Sequence, residues 1–264
     1  MHAVLVDPDG EVVQAAGDPE LVCFLRSSAK PIQALAVARA RDDLDERDLA
    51  IASASHLAEP AHLEAVRALL AKAPAGEDEL ECGGGIAHNC SGKHAGMLAL
   101  CRARGWPSGG YRLPEHPCQQ AMLAVVEEAF GGPPLATATD GCGVVTFAYP
   151  LHRMAHGFAR FEGLDGGIRV AAAMRRHPEL IRGAGGTDTR LMQLRPRWVA
   201  KGGAEGLLCA ADGRGMGIAL KVADGAPRAV GPALAAFLEG PEELAVTPLD
   251  NSRGEQVGEI RAEV

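Results

Sequence analysis

Segments that favour β-strands lie mainly at the two ends of this chain, and helical segments fill the middle. Residues 1–25 predict two short strands around the turn Asp7-Pro8-Asp9-Gly10. Further strands are predicted at 198–200, 206–210 and 217–222, with one buried strand at 143–149. We therefore expect both ends to pair in one antiparallel sheet, with a helical lobe between them. This arrangement predicts a single α+β domain over residues 1–264, with a loose polar tail after about residue 248.

The helical segments follow from apolar spacing and from start and stop signals. Ser27 stands near the start of the first helix, and Pro31 falls in its first turn, where a missing N–H costs little. A glycine-rich loop at 82–93 leads into another helix, which Gly105 and Pro107 end. The predicted helices cover about 27–41, 60–73, 91–104, 115–130, 150–162, 165–177 and 226–239.

Composition excludes several classes of partner. The net charge of −8 argues against a nucleic acid or an anionic membrane surface. Ten aromatic residues are too few for base-stacking platforms, and no apolar run approaches a membrane span of about 20 residues. The seven cysteines are odd in number and scattered, and the first residues do not resemble an export signal. Reduced thiols and a cytoplasmic location are therefore expected.

Lysine is scarce in this chain. Only Lys30, Lys72, Lys93, Lys201 and Lys221 occur, against twenty-one arginines. Arginine keeps its proton in proteins, whereas a desolvated lysine can act as a neutral base or ligand. Three of the five lysines stand among small and polar residues, which is typical of lysine chemistry beside a serine.

One Ser-x-x-Lys motif is present, formed by Ser27 and Lys30. On a helix these side chains share a face, so a neutral Lys30 can accept the serine proton. The alternative is a capping serine followed by a solvated lysine. Ser55, near a predicted strand end, and Lys201, where a strand meets a glycine-rich turn, extend the pattern. In penicillin-binding-type enzymes, a second serine and a strand lysine complete a similar arrangement. The Ser-Asp-Asn and Lys-Thr-Gly signatures do not occur, so β-lactam chemistry is not expected.

Several longer motifs, in order, resemble the class 3 L-asparaginases, the Rhizobium-type asparaginase II family. They are Arg26-Ser27-Ser28-Ala29-Lys30-Pro31, Ala54-Ser55-His56, Asn89-Cys90-Ser91-Gly92-Lys93-His94-Ala95-Gly96-Met97, Asp140-Gly141-Cys142-Gly143, His177-Pro178-Glu179-Leu180-Ile181, and Ala200-Lys201 through Glu205-Gly206. The resemblance implies a fold similar to serine β-lactamases and glutaminases, a homodimer, and hydrolysis of L-asparagine to L-aspartate and ammonia. It also implies two catalytic pairs, Ser27 with Lys30 and Ser55 with Lys201.

The same resemblance implies zinc held by Cys90, Lys93 and Cys142. Spacing alone allows Cys90 and Lys93 to share a helix face, with Cys142 supplied by another loop. It equally allows inert buried thiols, and His88 and His94 compete as ligands. The zinc is expected to organise the substrate rather than to supply the nucleophile.

The predicted substrate-binding residues are His94, Asp140 and Glu205. Asp140 can hold a metal-bound water or the substrate α-amine, or serve only in a turn. Two departures from the family pattern stand out. The sequence starts at the first strand, without the usual preceding segment that ends in His-Arg-Gly, and Leu57-Ala58 replaces the common Ser-Gly before Glu59. A related glutaminase or amidase, and a non-catalytic amino-acid-binding protein, remain alternatives to the asparaginase.

Overall fold

The main sheet joins the two ends of the chain. The computed structural model describes residues 1–263. Five antiparallel strands run in the order β2-β1-β8-β7-β6. They are β1 (His2–Val6), β2 (Val12–Ala16), β6 (Val199–Gly202), β7 (Leu207–Ala211) and β8 (Gly217–Lys221). Because β1 lies between β2 and β8, the predicted antiparallel sheet from both ends is confirmed. The closer likeness to serine β-lactamases stays a prediction.

A second antiparallel sheet runs in the order β3-β5-β4. Its strands are β3 (Val22–Phe24), β4 (Ala136–Thr139) and β5 (Val145–Pro150). The buried central strand β5 matches the strand predicted at 143–149. Strand β4 was not predicted, because its four residues are small or polar and are exposed throughout. Exposure removes the apolar alternation from which a half-buried strand is recognised.

The expectation of a loose tail after residue 248 is wrong. Strands β9 (Thr247–Asp250) and β10 (Gln256–Ile260) form a separate antiparallel hairpin. Asn251 organises the turn between them, since its side-chain oxygen accepts from the backbone N–H groups of Arg253 and Glu255. Most residues of both strands are exposed. Their sequences therefore lack the alternation of apolar and polar residues that predicts a half-buried strand.

Helices fill the middle of the chain, as predicted. They are α1 (Lys30–Ala40), α2 (Glu46–Ala52), α3 (Pro60–Lys72), α4 (Ser91–Arg104), α5 (Pro117–Phe130), α6 (Leu151–Arg160), α7 (Gly167–Arg176), α8 (Pro178–Ile181), α9 (Thr187–Leu194) and α10 (Val230–Phe237). Helices α2, α8 and α9 were not predicted, and each has eight residues or fewer. Their length gives a helical period too few turns to be recognised. Within residues 1–263, no helix combines the length and the apolar character that crossing a bilayer requires.

Close packing of α4 against α2 fixes the position of the Asn89–Met97 motif. A Cβ atom added at Gly92 would lie 2.1 Å from the backbone oxygen of Ile51 at α2. Only glycine permits this approach without a shift of backbone. Helix α1 packs against both helices and is buried from Lys30 to Ala38. The three helices therefore bring the starts of α1 and α4 together with the end of α2.

Candidate active site

A completely buried lysine contacts a serine at the end of α2. The Nζ atom of Lys30 lies 2.9 Å from the Oγ atom of Ser55 and 2.5 Å from the backbone oxygen of Ala54. It also donates to the backbone oxygen of Asn89 at 3.4 Å. Both side chains are 0% exposed. This contact joins the first two motifs of the chain in one hydrogen-bonded group.

Burial makes the charged form of Lys30 costly. Desolvation lowers the pKa of Lys30, and the neighbouring Lys93 lowers it further, against the opposing effect of the Cys90 and Cys142 sulfurs. Among residues 1–263, no carboxylate forms an ion pair with Lys30. Burial therefore favours the neutral amine that a general base needs, while the surrounding hydroxyl and carbonyl oxygens accept its N–H groups.

The serines of the Ser-x-x-Lys motif occupy different environments. Arg26–Ala29 form a 3₁₀ turn directly before α1, and the backbone N–H of Lys30 donates to the backbone oxygen of Ser27. The Ser27 side chain is half-buried, and the Lys30 amine contacts Ser55 instead. Ser28 is fully buried, and its hydroxyl donates to the backbone oxygen of Lys201 at 2.9 Å. The structure thus brings Lys30 together with the second predicted serine rather than the first.

Lys201, on β6, is also 0% exposed and is paired with a carboxylate. Its Nζ atom lies 3.4 Å from Oδ2 of Asp188 and donates to the backbone oxygen of Gly202 at 2.7 Å. Asp188 also accepts the Gly202 N–H at 2.9 Å. Burial lowers the pKa of Lys201 to about 8, while Asp188 acts to raise it and the charge of Lys30 to lower it. The predicted contact between Lys201 and Ser55 is replaced by this buried ion pair.

Two sulfurs and an amine meet where α4 begins. The Lys93 amine lies 3.1 Å from the Cys142 sulfur, and the Cys90 sulfur neighbours both Cys142 and Lys30. Hydrogen bonding with Cys142 lowers the pKa of Cys90, with help from the two lysines. The same interaction, together with burial, raises the pKa of Cys142. The three predicted zinc ligands therefore lie together.

The donor set suits zinc in kind, because thiolates are preferred zinc ligands and a bound cation favours the neutral form of an amine. Over residues 1–263, no group of three or more His, Cys, Asp or Glu side chains is placed to hold a metal ion. A Cys-Lys-Cys set contains only two such residues.

An arginine next to Ser27 links two of the predicted substrate-binding residues. Arg26 Nε lies 2.5 Å from Oδ1 of Asp140, and Arg26 Nη1 lies 2.7 Å from Oε1 of Glu205. Burial alone would raise the pKa of Asp140, but Lys93 and Arg26 hold it below its ordinary value. The backbone of Arg26 has a φ of 49°, in the left-handed region that is unusual for a residue other than glycine. Such strained positions concentrate at functional sites.

His94, the third predicted substrate-binding residue, is a buried residue near the start of α4. Its Nδ1 atom lies 2.7 Å from the hydroxyl of Tyr111. Its buried Nε2 atom has no hydrogen-bond partner among the described residues. Desolvation, reinforced by Lys93, lowers the pKa of His94 well below its ordinary value, so the imidazole is neutral. His94 thus follows Lys93 of the Cys-Lys-Cys cluster in the chain, and its ring is hydrogen-bonded to the hydroxyl of Tyr111.

No curated protein gives a significant match. Among solved structures, the crystal structure of Mglu in its L-glutamate binding form in the presence of 4.3M NaCl is 15% identical, with a TM-score of 0.38. The alignment covers 95% of this chain and 64% of Mglu, so the chain spans less than two thirds of that protein. A TM-score of 0.38 is too low to establish a shared fold.

The family described as L-asparaginase II matches residues 1–86 and 84–262. The chain belongs to the L-asparaginase II family. The resemblance inferred from the motifs is thereby confirmed. In this family member the motifs meet in space although they are far apart in sequence. The start of α1, the end of α2, the start of α4, the loop between β4 and β5, and strand β6 each supply a residue to the site.

Sequence reasoning missed Asp188 and assigned no role to Arg26. Asp188 lies in the first turn of α9, where an acidic residue is ordinary and gives no signal. Its role follows only from its contact with Lys201, 13 residues further along the chain. Arg26 precedes Ser27 within the first motif, and that position was the available signal in the sequence. Its place between two carboxylates is visible only in the structure.

Proposed function

We propose that this member of the L-asparaginase II family hydrolyses the side-chain amide of L-asparagine, giving L-aspartate and ammonia. The contact between Lys30 Nζ and Ser55 Oγ at 2.9 Å carries the proposal. A buried amine that touches a serine hydroxyl is the arrangement by which Ser-Lys enzymes activate their nucleophile. Family membership supports an amide as the substrate.

The proposed reaction has two halves, in which Lys30 and Lys201 take opposite roles. Neutral Lys30 removes a serine proton, and the serine oxygen attacks the amide carbon. Protonated Lys201, kept charged by Asp188, donates to the nitrogen as the C–N bond breaks. Ammonia departs and an aspartyl ester remains on the serine. Water then attacks the ester carbon and gives a proton to the neutral Lys201, the C–O bond to serine breaks, and the serine oxygen regains its proton from Lys30.

Two serines compete for the role of nucleophile. Geometry favours Ser55, whose hydroxyl touches Lys30, whereas the Ser-x-x-Lys motif favours Ser27. Both Ser55→Ala and Ser27→Ala are to be assayed for ammonia release and for a trapped aspartyl ester by mass spectrometry. The nucleophile is the serine whose loss abolishes the trapped ester. Circular dichroism of each variant separates loss of catalysis from loss of fold. If both variants form the ester, the Ser-Lys mechanism is wrong.

Zinc belongs to the same proposal. Cys90, Lys93 and Cys142 would hold the ion through two thiolates and a neutral amine. When bound, the ion would supply a Lewis acid that orients the substrate. The catalytic proton transfers described above use only the serines and lysines.

Substrate recognition is assigned to His94, Asp140 and Glu205, with Arg26 as the residue that orients both carboxylates. Asp140, held ionised by its two cationic neighbours, is suited to accept the α-ammonium group of the amino acid. Replacing Asp140 with asparagine should therefore raise KM more than it lowers kcat.

A glutaminase or a broader amidase is the second candidate, since one methylene is worth only about 1–3 kcal/mol of discrimination. Ammonia release from asparagine, glutamine and a simple amide separates these activities from each other and from an inactive amino-acid-binding protein. The homodimer and the cytoplasmic location also remain proposals. Light scattering coupled to gel filtration tests the dimer.

A further inference from the structure

A cleft of about 560 Å³ opens beside Lys201. Its lining includes Asp188 and Gly202, the two residues that Lys201 Nζ contacts. Residues of α10 and of the start of β9 also line it. Arg182 connects the cleft to the serine at the end of α2, since its Nη1 atom lies 3.5 Å from the backbone oxygen of Ser55. The cleft therefore adjoins the point where the leaving group would depart.

Charge in this cleft is opposite to that of the whole chain. The protein carries a net charge of −8, yet the cleft lining contains Arg182, Arg190 and Arg228 against a single acid, Asp188. The oxygens of Asp188 are already engaged by Lys201 and by the N–H groups of Gly202 and Thr189. A concave surface of one sign concentrates ligands of the other.

The three arginines keep unused donors. Among residues 1–263, none of them forms an ion pair with a carboxylate. Arg182 and Arg190 donate to the backbone oxygens of Ser55 and Glu243, and each has further N–H groups. Arg228 is exposed. Guanidinium groups bind carboxylates through paired hydrogen bonds.

Size adds an independent argument. When asparagine is the substrate, the departing group is one nitrogen atom, which needs no cleft. A volume of several hundred Å³ is instead typical of sites that enclose a larger ligand. Leu57, two residues after Ser55, lines the cleft and supplies apolar surface to it.

We infer that the cleft is a leaving-group subsite for amides whose departing amine carries a carboxylate, as in β-aspartyl dipeptides. The inference rests on the proposed function and names a wider substrate class for the same site. The serine oxygen attacks the β-aspartyl carbon, the C–N bond breaks, and the departing amino acid takes a proton from Lys201. Its carboxylate is bound by the arginines. Water then hydrolyses the aspartyl ester as for asparagine.

The test compares β-aspartylglycine with asparagine as substrates of the full chain. Glycine release gives kcat/KM for the dipeptide, and ammonia release gives kcat/KM for asparagine. The readout is the ratio of the dipeptide value to the asparagine value. In Arg190→Gln and in Arg228→Gln, this ratio should fall about tenfold, the effect of losing one charge-assisted hydrogen bond. Arg214→Gln, an exposed arginine outside the cleft, is the matched control and should leave the ratio unchanged. Since Arg190 also contacts Glu243, Arg228→Gln keeps the test independent of folding.

Calorimetric binding of β-aspartylglycine separates this inference from the proposed function. Asparagine hydrolysis without binding or cleavage of the dipeptide would overturn the subsite and leave the asparaginase standing. An unchanged ratio in both cleft variants would also overturn it. If neither substrate is cleaved, arginine-dependent binding of the dipeptide would retain the subsite while the proposed function fails. Absence of both cleavage and binding would refute both.

Discussion

Lys201 and Asp188 form an ion pair that is almost completely buried. Their charged atoms lie 3.4 Å apart, and the two side chains are 0% and 4% exposed. Removing one partner of such a pair leaves an uncompensated charge in the interior. Lysine can avoid that cost by losing its proton, so the pair sets the protonation of Lys201.

The first prediction concerns the pH dependence of this pair. Burial places the pKa of Lys201 at about 8 although Asp188 acts to raise it, so Asp188→Asn should lower it further. Because protonated Lys201 is the proposed proton donor, the alkaline limb of the kcat profile should move to lower pH, by about one unit. Asp188→Glu, which keeps a carboxylate, should restore the limb towards its original position. An unmoved limb in Asp188→Asn would show that another group donates the proton.

The same pKa predicts how stability varies with pH. The folded value of about 8 lies below the ordinary value of 10.5, so between these values the unfolded chain binds more protons than the folded chain. The contribution of Lys201 to the free energy of unfolding should therefore rise with pH across that window. Urea unfolding from pH 7 to 10 measures it, and Lys201→Met should flatten the rise.

Lys30→Arg should abolish turnover. Arginine keeps the charge but cannot become a neutral base, so the variant should lose at least about 100-fold in kcat, as expected when a general base is removed. Lys72→Arg is the matched control, because Lys72 makes only ion pairs with Asp45 and Asp48. Steady-state ammonia release measures both. Near-normal turnover in Lys30→Arg would mean that Lys30 acts only through its charge.

Zinc content should depend on two of the seven cysteines. Cys90→Ser and Cys142→Ser should lose bound zinc, measured by mass spectrometry of the purified protein, whereas the equally buried Cys101→Ser should keep it. Chelation should raise KM more than it lowers kcat if the ion orients the substrate. If metal-free protein has the same kcat and KM as zinc-containing protein, the cysteines of the cluster are inert buried thiols.

Gly92→Ala should destabilise the fold. The added Cβ would lie 2.1 Å from the backbone oxygen of Ile51, so α2 and α4 must separate. Overpacking of this kind costs about 1–3 kcal/mol in the free energy of unfolding, measured with urea. Gly109→Ala meets no atom within 4 Å and is the control. Equal stability of the two variants would show that α4 can shift freely.

The sequence predicted the sheet from both ends and the longer helices, because apolar period is a local property. The roles of the site residues stay a prediction. The pairing within the site is not local. Lys30 and Ser27 share a motif, but burial of α1 directs the Lys30 amine to Ser55, in the loop after α2. Asp188 likewise became recognisable only when the fold placed it against Lys201. Hairpin β9–β10 was missed because its exposed strands carry no apolar pattern.

The position of β1 inside the main sheet has a consequence during synthesis. Its two neighbours are β2, which follows at once, and β8, which begins at residue 217. During synthesis, the edge of β1 that pairs with β8 therefore stays unpaired while about two hundred residues are added. Exposed strand edges are templates for wrong pairing, so the nascent chain is most open to aggregation before its last strands emerge. Lys201, on β6, is also added late in this interval, so the nascent chain gains the second proposed catalytic lysine long after Lys30.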